Sequence, residues 1–160
     1  MKNQHIYTRN IEPLKIGVRL PNIGIYNKNE EKVDLHTIKR KKVYISVPSF
    51  ANRPIMNEIS KLDIILKDYP DFDYYIVSNE SVFTQNRLLR QYRFKTFTNL
   101  SDFKEMNFAR YTGTFIYEIE QLVKAIFITS EDDTLLFVKY YDDLYSNIDL
   151  NEITNIIKKN

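Results

Sequence analysis

The chain has 160 residues, 43% of them apolar and 28% charged, with a net charge of +2 and no cysteine. That length and apolar content suit one domain with one core, with no need for a disulfide or a metal. The charge balance gives no electrostatic reason to expect a nucleic acid or membrane partner, and the absence of cysteine excludes disulfides, thiolate catalysis and cysteine-ligated zinc.

No apolar run approaches the ~18 residues of a membrane span, and the start from Met1 to His5 has no apolar signal region. The reading is a soluble, cytoplasmic, single-domain protein over residues 1–160, without a cofactor. Lys, Asn, Ile and Tyr are abundant while Gly is scarce at three, a bias of codon usage, so the twelve tyrosines carry little functional weight by number alone.

Residues 5–27 alternate loosely and carry Pro13, Pro21 and Gly24, which predicts short strands or a hairpin packed on an edge. Val33 to Ile38 leads into Lys39, Arg40, Lys41 and Lys42, read as a solvated basic turn without interleaved aromatics. Val43 to Val47 is a short β-rich run and predicts a buried central strand. A loop from Pro48 to Pro54 follows. Ile55, Ile59, Leu62 and Leu66 then recur at helical spacing, with Pro54 suited to the first turn and Tyr69-Pro70 to the end.

Phe72 to Ser78 predicts a second strand, and Ser81 to Tyr92 a helix capped by Ser81. Lys95 to Thr98 is a short extended piece. Ser101 is the predicted cap of a helix running to about Tyr111, stopped by Gly113. Leu122 to Ile128 and Thr134 to Tyr141 predict a hairpin about the polar turn at Ser130 to Asp133. Ile148 to Lys159 closes the chain as a helix with Leu150, Ile153, Ile156 and Ile157 on one face. The order βα, βα, βαββα predicts an α/β fold with a central mixed sheet flanked by helices and an N-terminal β-hairpin.

That order is thioredoxin-like, and the residues narrow it. Gly17 to Pro21 resembles the Gly-x-x-x-Pro segment of peroxiredoxins. Lys41 to Ser49 resembles the strand leading into their active-site loop. Val82 to Arg87 resembles the Pro-Phe-Ala-Gln-x-Arg stretch of the thiol peroxidase branch. Leu100 to Phe108, with Tyr111 and Gly113, resembles that branch's Leu-Ser-Asp…Phe…Tyr-Gly signature. In order along the chain, these pieces resemble the atypical two-cysteine thiol peroxidases of the peroxiredoxin family from about residue 15 to 158.

The resemblance implies a set of functional positions. In that family the loop reads Pro-Ser-x-x-Thr-x-x-Cys. Pro48 and Ser49 match it, and Asn52 stands at the threonine. Ile55 stands at the peroxidatic cysteine, or Met56 if one residue is inserted; Ile55 keeps the apolar stripe in register. Leu89 stands at the resolving cysteine and Lys124 at the activating arginine. Peroxide reduction needs a thiolate that attacks a peroxide oxygen and becomes a sulfenic acid. Neither Ile55 nor Leu89 can do this, and a lysine lacks the planar fork of arginine.

Other arrangements carry less. His5 and His36 have no metal-ligand spacing. No glycine-rich phosphate loop is present. Asp132 and Asp133 are read as a solvated turn, and Asp142 and Asp143 as a strand end. Ser49 has no histidine base nearby in sequence. Tyr140, Tyr141 and Tyr145 are candidates for a partner surface or for packing.

The functional expectation is a thiol peroxidase homologue that has lost the activity and works by binding a protein or ligand, in an oxidative-stress context. By resemblance it is a homodimer, with room for a further protein partner. The alternative is an enzyme with non-thiol chemistry in the old pocket, using Lys124 and Asn52.

Overall fold

A computed structural model of the protein describes residues 12–143 and 146–160. Its centre is a seven-stranded mixed sheet. The strands are β1 (Gly24–Tyr26), β2 (Lys32–Asp34), β3 (Lys41–Ser46), β4 (Phe72–Ser78), β5 (Phe97–Ser101), β8 (Ala125–Thr129) and β9 (Leu135–Tyr140), in the order β2-β1-β5-β4-β3-β8-β9. The short strands β6 (Phe115–Ile116) and β7 (Gln121–Leu122) pair separately. The helices are α1 (Arg53–Leu66), α2 (Val82–Leu89), α3 (Asn107–Thr112) and α4 (Leu150–Lys159).

Strands β3, β4 and β5 are parallel, while β8, β9 and β1 join antiparallel. Successive side chains of a strand point to opposite faces, and the core divides accordingly. Val43, Ile45, Tyr74, Ile76, Ile126 and Ile128 pack with the apolar faces of α1, α2 and α4. Tyr44, Val77, Leu100, Ala125 and Phe127 pack with α3 and the β1–β2 hairpin.

Each long helix starts where its sequence can satisfy free N–H groups. Asn52, Ser81 and Asp149 cap α1, α2 and α4, accepting from the N–H groups of Ile55, Thr84 and Glu152. Pro54 sits in the first turn of α1, and Ile55, Ile59, Leu62 and Leu66 are all buried. Each such side chain contributes about 1.5–3 kcal/mol by leaving water.

Several expectations shift. The hairpin lies over Gly24–Asp34, later than the predicted 5–27 region, whose first residues fall outside those described. The basic turn is partly strand: β3 starts at Lys41, and Lys42 is fully buried. Its ammonium donates to Asp133 Oδ1 at 2.9 Å and to the Ile38 carbonyl at 2.7 Å. Asp133 is correspondingly buried and not a solvated turn residue, whereas Asp132 stays outside. Burying a charge needs a paired charge, and these two residues, far apart in sequence, supply one another.

Ser101 does not cap α3. It ends β5, pairs with Ser78, and donates its hydroxyl to the Glu80 carbonyl at 2.6 Å. Asp102 does the capping from five residues before the helix: its two oxygens accept the Phe108 and Ala109 N–H groups, each at 2.8 Å. Gly113 ends α3 with φ 69°, the left-handed region that suits glycine. Helix α2 stops at Leu89, short of Tyr92, and the predicted strand from Leu122 to Ile128 divides into β7 and β8 around Val123 and Lys124.

Burial pushes the Asp102 carboxyl up to about 7, against the two N–H groups that favour its charged form. A pKa raised on folding stabilises most below its unfolded value and loses that contribution as pH rises through the folded one. Stability should therefore fall between about pH 4 and about pH 7. Asp102→Asn should flatten that slope, measured by denaturant unfolding across pH.

Candidate functional site

Of the positions that the resemblance assigns, Asn52, Ile55 and Met56 lie at the start of α1. Asn52 is its cap, and the side-chain oxygen accepts the Ile55 N–H at 3.1 Å. The N–H at the position of the attacking sulfur is thus already engaged. Ile55 is 1% exposed and Met56 fully buried. Leu89, at the end of α2, is half-buried against the same apolar cluster. The side chain at the position of the attacking sulfur is thus closed off from solvent.

Pro48 faces elsewhere. It opens onto a cleft of about 560 Å³ shared with Asn79, Glu80, Phe103 and Phe115, and neither Ile55 nor Lys124 lines it. The loop behind Pro48 is braced by Glu80. One carboxylate oxygen accepts the Ser49 hydroxyl at 2.6 Å, and the other accepts the Phe50 N–H and the Ser78 hydroxyl, each at 2.9 Å. The Ser49 hydroxyl in turn accepts the Ala51 N–H at 2.9 Å. Ser49 therefore works as a turn hydroxyl tied to a carboxylate.

Lys124 is fully buried just before β8. Its ammonium donates to Glu58 Oε1 at 2.8 Å and to the Ser146 carbonyl at 2.6 Å. It lies 4.9 Å from the centre of the Tyr141 ring. The other Glu58 oxygen accepts the Ile148 N–H at 2.7 Å. One ion pair thereby joins α1, the lead into β8 and the segment before α4. With these partners the Lys124 side chain is engaged inside the fold rather than aimed at an open site.

The motif residues that persist have structural work. The Gln85 amide donates to Ser78 Oγ and the Leu100 carbonyl, each at 2.9 Å, and its oxygen accepts from Asn99 at 2.9 Å. Asp102 caps α3 as described. Tyr141 is buried, and the Tyr140 hydroxyl bonds the Thr112 carbonyl, so both serve packing. His36 Nε2 lies 3.0 Å from the Leu20 carbonyl and 3.5 Å from Asp133 Oδ2. His5 and Tyr145 lie outside the described residues. No group of three or more metal-ligating side chains occurs among the described residues, and no helix there is long and apolar enough to cross a membrane.

Sequence reasoning missed Glu58 and Glu80. Glu58 stands three residues after Ile55 and two after Met56, on a helix whose buried face was read only from its apolar residues. Its sole signal is a lysine at the arginine position in need of a counter-charge. Glu80 directly precedes the cap of α2, and no spacing marks it.

Two outcomes test this geometry. Ile55→Cys should be alkylated on the order of 100-fold more slowly in the folded protein than in denaturant, because buried thiols are protonated and shielded; mass spectrometry of the labelled chain reads it. Glu58→Ala should destabilise the fold by about 3 kcal/mol, since it leaves a buried ammonium without its carboxylate. Adding Lys124→Met should recover much of that loss in denaturant unfolding.

No family model matches the chain. It is 27% identical to the thiol peroxidase of Clostridium acetobutylicum over 139 residues, 85% of this chain and 84% of that one. It is 23% identical to the thiol peroxidase of Bacillus subtilis over 133 residues, 82% and 80% of the two chains. The solved peroxiredoxin-like protein from Aquifex aeolicus superposes with TM-score 0.87 at 24% identity, over 96% of this chain and 91% of that one. The thiol peroxidase from Chromobacterium violaceum does so with TM-score 0.85 at 12% identity, over the same shares of each. The structural likeness gives the peroxiredoxin fold, and the sequence likeness runs through the loop, α1 and α2 described above. The chain thus has the fold of the peroxiredoxins and, without a cysteine of its own, is similar in sequence to bacterial thiol peroxidases.

Proposed function

We propose that this protein is a thiol peroxidase homologue without peroxidase activity, and that it acts by binding a protein or a ligand. The observation that carries the reading is the closed start of α1: Ile55 at 1% exposure, with Met56 fully buried beside it. Peroxide reduction oxidises a thiolate to a sulfenic acid and then resolves it with a second sulfur. The chain has neither sulfur. Met56 is a thioether, and its oxidation product would need a separate reductase for each turnover.

The reading extends to a single domain over residues 1–160, located in the cytoplasm, working as a homodimer and serving an oxidative-stress context. Support for the homodimer is exposed apolar side chains: Phe103, which lines the Pro48 cleft, and Phe83 on α2 are both more than half exposed. The alternative, non-thiol chemistry by Lys124 and Asn52, has less support. The Lys124 ammonium is held by Glu58, and the Asn52 oxygen by the Ile55 N–H.

A peroxide-consumption assay with hydrogen peroxide and an organic hydroperoxide, reduced by thioredoxin or dithiothreitol, should match the protein-free blank. Turnover above the blank would overturn the loss of activity.

A further inference from the structure

Leu89, the position of the missing second sulfur, lines a cleft of about 370 Å³ with Lys28, Asn86, Arg90, Arg93, Phe94, Phe97, Thr98 and Asn99. Its lining has three cations and no carboxylate. Lys28 comes from the tip of the β1–β2 hairpin, Arg90 from the end of α2, and Arg93 from the turn after it. Among the described residues none of these three side chains has a hydrogen-bond or ion-pair partner. Cations at the end of a helix are favoured by its dipole, which accounts for Arg90. It does not account for Lys28 or Arg93, which other segments deliver.

The walls are fixed rather than loose. Asn86 Nδ2 donates to the Lys28 carbonyl at 2.9 Å, tying the hairpin tip to α2. The Asn99 amide bridges Gln85 and Asn86 at 2.9 and 3.2 Å. Asp63 accepts the N–H groups of Lys95, Thr96 and Phe97, which pins the start of β5. Arg93 holds φ 51°, an uncommon conformation for a residue with a side chain. Phe94 stacks on Tyr92 at 5.6 Å between ring centres and meets Phe97 edge-on at 6.4 Å, giving an aromatic side to the cleft.

Three converging cations without acids repel one another unless an anion joins them. Guanidinium groups match the oxygens of a phosphate, and an aromatic wall matches a planar ring. The volume falls in the range of small-molecule sites. We propose that this cleft binds a mononucleotide, with its phosphate held by Lys28, Arg90 and Arg93 and its base against the Phe94–Phe97 side. This names a ligand for the binding role above and rests on that reading, at a site that needs no sulfur.

The test is calorimetric titration of the full chain at low salt with AMP, inorganic phosphate and adenosine. AMP should bind saturably in the micromolar to submillimolar range and more tightly than phosphate, adenosine should not bind, and added salt should weaken AMP. Arg90→Ala and Lys28→Ala should each weaken AMP at least about tenfold. Lys28 is an exposed tip residue whose backbone carbonyl still serves Asn86, so that variant keeps the fold, and a thermal melt checks both. The proposal fails if AMP does not bind, if adenosine binds as well as AMP, if phosphate matches AMP, or if folded variants bind unchanged. Peroxide turnover would overturn the lost-activity reading and leave this site untouched. Absent AMP binding would do the reverse.

Discussion

The contact on which the closed site depends is the ion pair between Lys124 and Glu58. Lys124 is fully buried, and the side chain of Glu58 is 16% exposed. Such a pair stabilises only if the remaining donors and acceptors are also satisfied. Here they are: the ammonium reaches the Ser146 carbonyl and the Tyr141 ring, and the carboxylate reaches the Ile148 N–H. The segment before α4 is thereby drawn against α1, and Ile148 and Ile153 enter the same apolar cluster as Ile55. This buried cation holds three elements together.

A buried cation costs desolvation unless it is paired, and Glu58 supplies the pair for Lys124. The Asn52 oxygen takes the Ile55 N–H, so the first turn of α1 does not present that donor to a ligand. The polar network around Ser78, Gln85 and Asn99 joins β4, α2 and β5, and through Glu80 it also reaches the loop after Pro48.

Much of the architecture was legible because it rests on periodicity and caps. The stripe from Ile55 to Leu66, the strand from Phe72 to Ser78 and the stop at Gly113 follow from local chemistry, and all three hold. The misses share another cause. Lys42 and Asp133 look like surface residues in sequence, and only the sheet reveals that β3 and the β8–β9 turn bring them face to face. Ser101 has the chemistry of a cap, but strand pairing with Ser78 claims it first, and Asp102 takes over. The resemblance singled out Asn52, Ile55, Leu89 and Lys124 as positions of interest. The pairing of Lys124 with Glu58 was not legible, since a long-range partner leaves no spacing to read.

The buried Ile55 has a consequence for how the fold can change. A reactive thiolate must stay wet and its loop must yield, so a catalytic site sets aside packing that the fold would otherwise use. Ile55, at the head of α1, instead packs within the core. Selection on this region then concerns volume and shape rather than acidity and access, and volume-conserving apolar exchanges become neutral where a peroxidase tolerates only sulfur. The head of α1 is free to drift as any core position does, while the surfaces outside it carry whatever role is kept.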